Sequence, residues 1–295
     1  MSRLLWLSLM LPAVLCAQPA VRQLWKQKAL ERLSAYAAAS SGVLGVSAID
    51  LTNGDRLEMN GDTVFPTASS IKVPVMIGMF RDAAAGRFKF SDPVRLTWVG
   101  NGDDSEGPLK EKLMHGPVTL TVRELVEAMM QWSDNSAANE CIRMVGMERV
   151  NALIRELGLR DTHLRRFMMD IAAARRGDEN TSTPRDLARL MELIYEHKAA
   201  GAKDCDEMLA IMKGVQHPFL RPGIPANVEM AAKTGSLDEV RCETAVVFLA
   251  HRPFAVTVMS AYLDPGANPV SGAGKIVYDY FSRLAMSNEY GRAIE

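Results

Sequence analysis

The sequence predicts a mixed α/β (α+β) fold in which an antiparallel five-stranded sheet is flanked by N- and C-terminal helices and interrupted by an all-helical insertion. Three observations carry that prediction. Apolar residues recur at helical spacing near both ends of the chain. Strand-like apolar runs lie just inside these two helices, two after the first and three before the last. Between them, from about residue 69 to residue 212, the pattern turns helical.

In "VRQLWKQKALERLSAYAAAS", Val21, Leu24, Ala29, Leu30 and Leu33 share one face, which predicts an amphipathic helix packed on the sheet. "GVLGVSAIDLTNGDRLEMNGD" follows, with apolar and β-branched runs on either side of Asn53-Gly54, a dipeptide suited to positive φ at both centres of a tight hairpin turn. In the helical middle, "TVRELVEAMMQW" opens with a Thr121-x-x-Glu124 capping box, and "STPRDLARLMELIYEH" has Thr183 as cap and Pro184 in the first turn. Strands return in "VEMAAKTGS", "ETAVVFLAH" and "FAVTVMSAYL". The closing "GKIVYDYFSRLAM" places Ile276, Val277, Tyr280, Phe281 and Leu284 on one helical face. These segments divide into an α/β domain, residues 18–65 and 213–295, and a helical domain, residues 66–212.

With 295 residues, 48% of them hydrophobic, the chain has enough apolar material for a substantial core. Its 34 basic and 35 acidic residues form no long run, which argues against nucleic acid or an anionic membrane and for a small-molecule or peptide substrate. The start, "MSRLLWLSLMLPAVLCAQPA", sets Arg3 ahead of an apolar run from Leu4 to Leu15 and then small residues, the layout of a secretory signal peptide over residues 1–17. Leu15 before Cys16 is a poor match to a lipoprotein site. Cleavage near Cys16 or Ala17 leaves a secreted or periplasmic protein with no membrane span, expected to be a monomer. The remaining Cys141, Cys205 and Cys242 are odd in number, so at most one disulfide forms, and they lack metal-ligand spacing. His115, His163, His197, His217 and His251 are equally scattered, so neither metal nor cofactor is expected.

Three short motifs stand in order along the chain. "SSIK" contains Ser69-x-x-Lys72, "SDN" is Ser133-Asp134-Asn135, and "KTGS" is Lys233-Thr234-Gly235-Ser236. Ser-x-x-Lys is expected about once by chance in a chain of this length, and each fixed triplet roughly 0.1 times or fewer. Taken singly, Ser69 reads equally as a helix cap with a solvated Lys72, the second motif as an Asx-type turn and the third as a hairpin. Their occurrence together, in order, favours a site. They are the motifs of class A β-lactamases and penicillin-binding proteins, and the chain resembles that superfamily over nearly its whole mature length. "FPTASSIKVPV", "WSDNSAAN" and "GDENTSTP" look like class A segments as well. The resemblance implies that family's two-domain fold and a β-lactam or D-alanyl peptide substrate.

Residue chemistry agrees. Ser69 and Lys72 are three apart, so on a helix starting there they share a face, with the serine at the end that favours a developing anion. Lys72 serves as base if burial and a second cation, Lys233, lower its pKa. Thr234 and Ser236 offer hydroxyls to a substrate carboxylate beside Lys233, with Gly235 between them, and the N–H groups of Ser69 and Ser236 form an oxyanion hole. The resemblance adds that Ser133 relays a proton to the leaving nitrogen, that Asn135 binds the amide of the acyl side chain, and that Asp134 is structural. It also places a carboxylate-binding arginine on the strand after Lys-Thr-Gly. Arg241 is the candidate, although Cys242 and Glu243 occupy the places where the family pattern points first.

By the same resemblance, "HLRRFMMDIAAARRGDENTSTP" is the omega loop, which in class A β-lactamases carries a glutamate that activates water against the acyl-enzyme. That glutamate is missing. Alignment forward from the Ser-Asp-Asn helix puts Met168 at its place, and counting back from Pro184 puts Phe167 there; neither accepts a proton. Asp170, Asp178 and Glu179 are the nearby acids, displaced along the chain, and Asp178 and Glu179 are expected to pair with Arg165, Arg166, Arg175 or Arg176. The expected activity is a serine hydrolase acylated at Ser69 by β-lactams and hydrolysing them slowly. Alternatives are a β-lactamase with a relocated base, a D-alanyl-D-alanine carboxypeptidase or transpeptidase, and a β-lactam sensor that stays acylated.

Overall fold

The computed structural model describes residues 20–100 and 107–294; the signal peptide expected at residues 1–17 lies outside them. Helix α1 (Ala20–Ala39) buries Ala29 and Leu33. The chain then runs into β1 (Val43–Asp50) and β2 (Arg56–Met59), paired antiparallel with Ile49 opposite Arg56. The connection is not the two-residue turn that Asn53-Gly54 suggests. Asp50 N–H bonds to Asp55 O at 2.8 Å, so residues 51–54 form a longer loop. Within it Gly54 alone takes positive φ, 78°, while the Asn53 side chain accepts the Asp55 N–H. An Asx interaction replaces the second left-handed residue.

After β3 (Phe65–Pro66), a 3-10 turn (Ala68–Ile71) leads into α2 (Lys72–Ala84). The helical layer continues through α3 (Pro108–His115), α4 (Val122–Gln131), α5 (Asn135–Val145), α6 (Met147–Glu156), α7 (Ile171–Arg175), α8 (Pro184–Tyr195) and α9 (Ala202–Lys213). Thr121 and Glu124 form the expected reciprocal capping box on α4, and Thr183 caps α8 ahead of Pro184. The layer is not wholly helical, however. β4 (Pro93–Leu96) pairs with β5 (Val118–Thr121), and β3 pairs with β6 (Thr181–Ser182), giving two short ribbons. Runs this short show no strand period, so only pairing across distant loops defines them.

The strands β7 (Met230–Leu237), β8 (Val240–Val247) and β9 (Phe254–Ala261) complete a five-stranded antiparallel sheet in the order β2-β1-β9-β8-β7. Helix α10 (Val270–Ala285) follows. On one face of the sheet, Leu33 of α1 and Val277 and Phe281 of α10 pack with Val256 of β9. On the other, the helical layer packs around α2, whose Val73, Met76, Ile77, Met79 and Phe80 are fully buried. A helix apolar on every side is a core element, and this one begins at the first motif. Cys141, Cys205 and Cys242 are buried free thiols, so no disulfide links them. No helix among the described residues is long and apolar enough to cross a membrane.

Phe254 and Phe281 stack with ring centroids 4.5 Å apart and fasten α10 to the sheet. Phe281→Ala is expected to lower the unfolding free energy by about 3–5 kcal/mol, measured as an earlier midpoint in urea. An unchanged midpoint would mean that the stack contributes nothing to cooperative unfolding.

Candidate active site

Three stretches of chain meet where the edge of the sheet faces the helical layer. The 3-10 turn carries Ser69 and the start of α2 carries Lys72; the α4–α5 connection and the first turn of α5 carry Ser133 and Asn135; β7 carries Lys233, Thr234 and Ser236. Between them lies a cleft of about 660 Å³, whose walls include Ser69, Ser133, Asn135, Thr234, Ser236 and Arg241. Lys72 and Lys233 are fully buried.

Local backbone geometry explains the convergence. Ala68 (φ 45°) and Ser133 (φ 58°) hold left-handed conformations that cost a non-glycine residue energy, and they turn the chain just before Ser69 and just before the α5 cap. Asp134 is that cap, accepting from Ala137 N at 2.7 Å, which is a structural role. Gly235, expected among the substrate contacts, contributes clearance. A Cβ there would fall 2.6 Å from Thr67 O and 3.0 Å from Ser69 N, so β7 runs directly against the backbone of the 3-10 turn.

Both lysines converge on one hydroxyl. Lys72 Nζ donates to Ser133 O at 2.6 Å, Asn135 Oδ1 at 2.9 Å and Ser133 Oγ at 3.2 Å. Lys233 Nζ donates to the same Ser133 Oγ at 3.0 Å and to Thr234 O at 2.9 Å. Burial, reinforced by the charge of Lys72, holds the Lys233 amine well below the ordinary lysine range. A hydroxyl in contact with two buried amines is placed to pass protons. Ser70 is fully buried and donates to Lys233 O at 3.3 Å, whereas Ser69 is partly exposed in the cleft. The two adjacent serines are thus assigned different work by their surroundings.

The facing wall comes from the loop that precedes α8. Asn180 ties its ends: the side-chain oxygen accepts from Arg165 N at 2.8 Å and Arg166 N at 3.0 Å, and the main-chain oxygen accepts from Thr67 N at 2.9 Å. Glu179 pairs with Arg166 through both oxygens at 3.0 Å, Asp178 pairs with Arg176 at 3.3 Å, and Asp170 caps α7 by accepting from Ala173 N at 2.9 Å. All three acids hold the loop together. The Asn139 side chain bonds both Met168 N, at 2.7 Å, and Met168 O, at 3.0 Å, and Met168, largely buried, is in the cleft wall. Phe167 instead packs beneath the Arg143 guanidinium, 5.5 Å from its ring. Of the two registers open to the sequence, Met168 is the one in the cleft wall. Among the described residues lining the cleft, the one carboxylate is Asp238, exposed at the tip of the β7–β8 hairpin.

Arg241 reaches the cleft from β8, opposite Ser236 and on the same face of the sheet, with its guanidinium donating to Leu237 O at 2.7 Å and Val240 O at 2.8 Å. Other functional positions carry no motif. Trp132, His217 and Phe219 line the cleft from connections between elements. Asn139 is signalled only by its spacing of four from Asn135, which puts both amides on one face of α5. Glu243, fully buried on β8 opposite Thr234, sits in a strand run where pattern alone does not separate a buried acid from an edge one.

The beta-lactamase enzyme family matches residues 27–281. Beta-lactamase CARB-3 of Pseudomonas aeruginosa is 28% identical over 268 residues, which is 89% of this chain and 90% of that protein. Among solved structures, a beta-lactamase from Sphaerobacter thermophilus is similar at TM-score 0.75 and 27% identity, over 88% of this chain and 97% of that one. An acyl-enzyme complex of a PBP-A mutant with penicillin G is similar at TM-score 0.77 and 25% identity, over 89% of this chain and 97% of that one. Because the family match runs through the sheet, the helical layer and all three motifs, the chain belongs to the beta-lactamase enzyme family.

Proposed function

We propose that the protein is a serine acyl-transfer enzyme of the class A β-lactamase type, acylated at Ser69 by β-lactams and slow to release the acyl group. The observation that carries this is Ser133 Oγ, held 3.2 Å from Lys72 Nζ and 3.0 Å from Lys233 Nζ in a cleft shared with Ser69, with Met168 instead of an acid in the facing wall. Ser69 Oγ attacks the carbonyl carbon of the lactam or D-alanyl amide, and its proton passes to Lys72 as Lys72 hands one of its own to Ser133 Oγ. Ser133 gives its proton to the departing nitrogen and is resupplied by Lys72. The C–N bond breaks and an ester on Ser69 remains. The Ser69 and Ser236 amides receive the oxyanion. Lys233, Thr234, Ser236 and Arg241 take the substrate carboxylate, and Asn135, fixed by Lys72, meets the acyl side chain.

Hydrolysis of that ester needs a base within hydrogen-bond reach of water. Asp170, Asp178 and Glu179 are occupied in the loop, which supports slow release. A D-alanyl-D-alanine peptidase is the second reading, favoured by the apolar Met168 and by the likeness to PBP-A, a mutant of which forms a penicillin acyl-enzyme. A sensor differs from both only in holding its acyl group. The N-terminal pattern supports export, and hence a periplasmic or secreted place of action.

Intact-mass measurement with a penicillin over time separates these readings. A covalent adduct on Ser69 is expected, absent in Ser69→Ala; label on Ser70 would overturn the assignment. Lys72→Ala is expected to slow acylation by about 10²–10⁴, and an unchanged rate would remove Lys72 from the chemistry. Met168→Glu is expected to speed release of the acyl group while leaving acylation nearly unchanged, by up to roughly 10²–10⁴. The gain shrinks if the new carboxylate sits about 1 Å out of place, an error that costs on the order of 10². Rapid turnover by the wild type that is lost in Asp170→Asn, Asp178→Asn or Glu179→Gln would instead put the base in the loop.

A further inference from the structure

Glu243 is a fully buried acid that the acyl-transfer steps do not use. It lies on β8 directly opposite Thr234, so the two side chains share a face of the sheet, and Arg241 is two residues away on that face. Its Oε2 accepts from Leu220 N at 2.8 Å, with the Phe219 N–H also directed at the carboxyl, while Oε1 is buried with no hydrogen-bond partner among the described residues. The segment it grips is functional, because Phe219 and His217 line the cleft. An apolar side chain would fill this position at less cost than a buried carboxyl.

We propose that Glu243 is a positioning residue of the cleft: it pins the segment at residues 219–220 to the sheet beside Thr234 and sets a buried carboxyl next to the strand position of Lys233. The charged and titratable groups around it are Lys233, next to Thr234 on β7 but on the other face of the sheet, Arg221 on the turn after Leu220, and Arg241 and Cys242 on its own strand. Burial pushes the Glu243 carboxyl up to about 8 and Lys233 down, while each charge favours the charged form of the other. As pH rises, Glu243 ionises and opposes loss of the Lys233 proton. The cation that meets a substrate carboxylate therefore persists further into alkaline conditions.

One test rests on the acylation reading above and one does not. Glu243→Gln keeps an acceptor for the Leu220 N–H and removes the charge. The alkaline limb of the acylation rate with a fluorescent penicillin is expected to move down by about half to one pH unit. Glu243→Ala is expected to show the same shift and, in addition, a non-covalent dissociation constant raised about 3–10-fold, because the Leu220 amide loses its acceptor. A purely structural role would leave the limbs of wild type and Glu243→Gln coincident, and that result overturns the proposal.

The second test is thermal unfolding of wild type and Glu243→Gln across pH. An acid whose folded pKa is raised is favoured in its protonated form, so its contribution is intact below the unfolded value and is lost as pH rises toward about 8. The wild-type melting temperature is expected to fall relative to Glu243→Gln from about pH 5 to about pH 9. Parallel curves overturn the proposal whether or not penicillin labels Ser69. A wild type that no penicillin acylates, with diverging curves, overturns the function and leaves the buried Glu243 carboxyl supported.

Discussion

Moving an ammonium group out of water costs several kcal/mol unless hydrogen bonds and neighbouring dipoles replace the lost hydration, and this fold buries Lys72 and Lys233 around one serine hydroxyl. Much of the surrounding structure serves that condition. Helix α2 is apolar and buried on every side from Val73 to Phe80, so Lys72 is mounted at the start of a closely packed core element. The carbonyl oxygens of Ser133 and Thr234 and the amide of Asn135 take the donors of the two lysines. The left-handed residues Ala68 and Ser133 aim the connecting chain, and Gly235 lets β7 approach closely enough for Lys233 to arrive from the other side. None of these features is stabilising in itself. Their cost is met by the two cores on the faces of the sheet.

The wall opposite divides its charges differently. Arg166 and Glu179 form a bidentate pair, and the uncharged Asn180 amide bonds three main-chain groups at the same closure. Acids are therefore plentiful in the loop and yet absent from its residues that line the cleft. Asn139 holds Met168 through its backbone, and the Met168 side chain is packed into the hydrophobic cluster beneath the loop. The two lysines and Ser133 are thus held by the helical layer and β7, and the facing wall is held by the loop.

What was legible in the sequence follows from the range of the interactions involved. The terminal helices, the caps at Thr121 and Thr183 and the three motifs depend on contacts within a few residues, and the chain displays them directly. The hairpin after β1 is only half legible: Gly54 takes its left-handed conformation, but the Asn53 side chain bonds the backbone and lengthens the loop. The ribbons β3–β6 and β4–β5 are invisible because each strand has meaning only beside a distant partner. The same holds for Phe219 and His217, which come to the cleft through tertiary packing, and for Glu243, buried against Leu220. The choice between Met168 and Phe167 is undecidable by counting, and the Asn139 contacts, 29 residues away in sequence, decide it.

The presence of methionine at the cleft-facing loop position also has a genetic consequence. Methionine has one codon, and no single-nucleotide change turns it into a codon for aspartate or glutamate. The neighbouring codons specify leucine, isoleucine, valine, threonine, lysine and arginine, none of which carries a carboxylate. A population exposed to β-lactams therefore cannot gain a water-activating acid at Met168 in one mutational step. Stepwise selection for faster release would have to pass through an intermediate at this position or recruit a base from elsewhere in the cleft, and Asp238 on the β7–β8 hairpin is the carboxylate already at its edge.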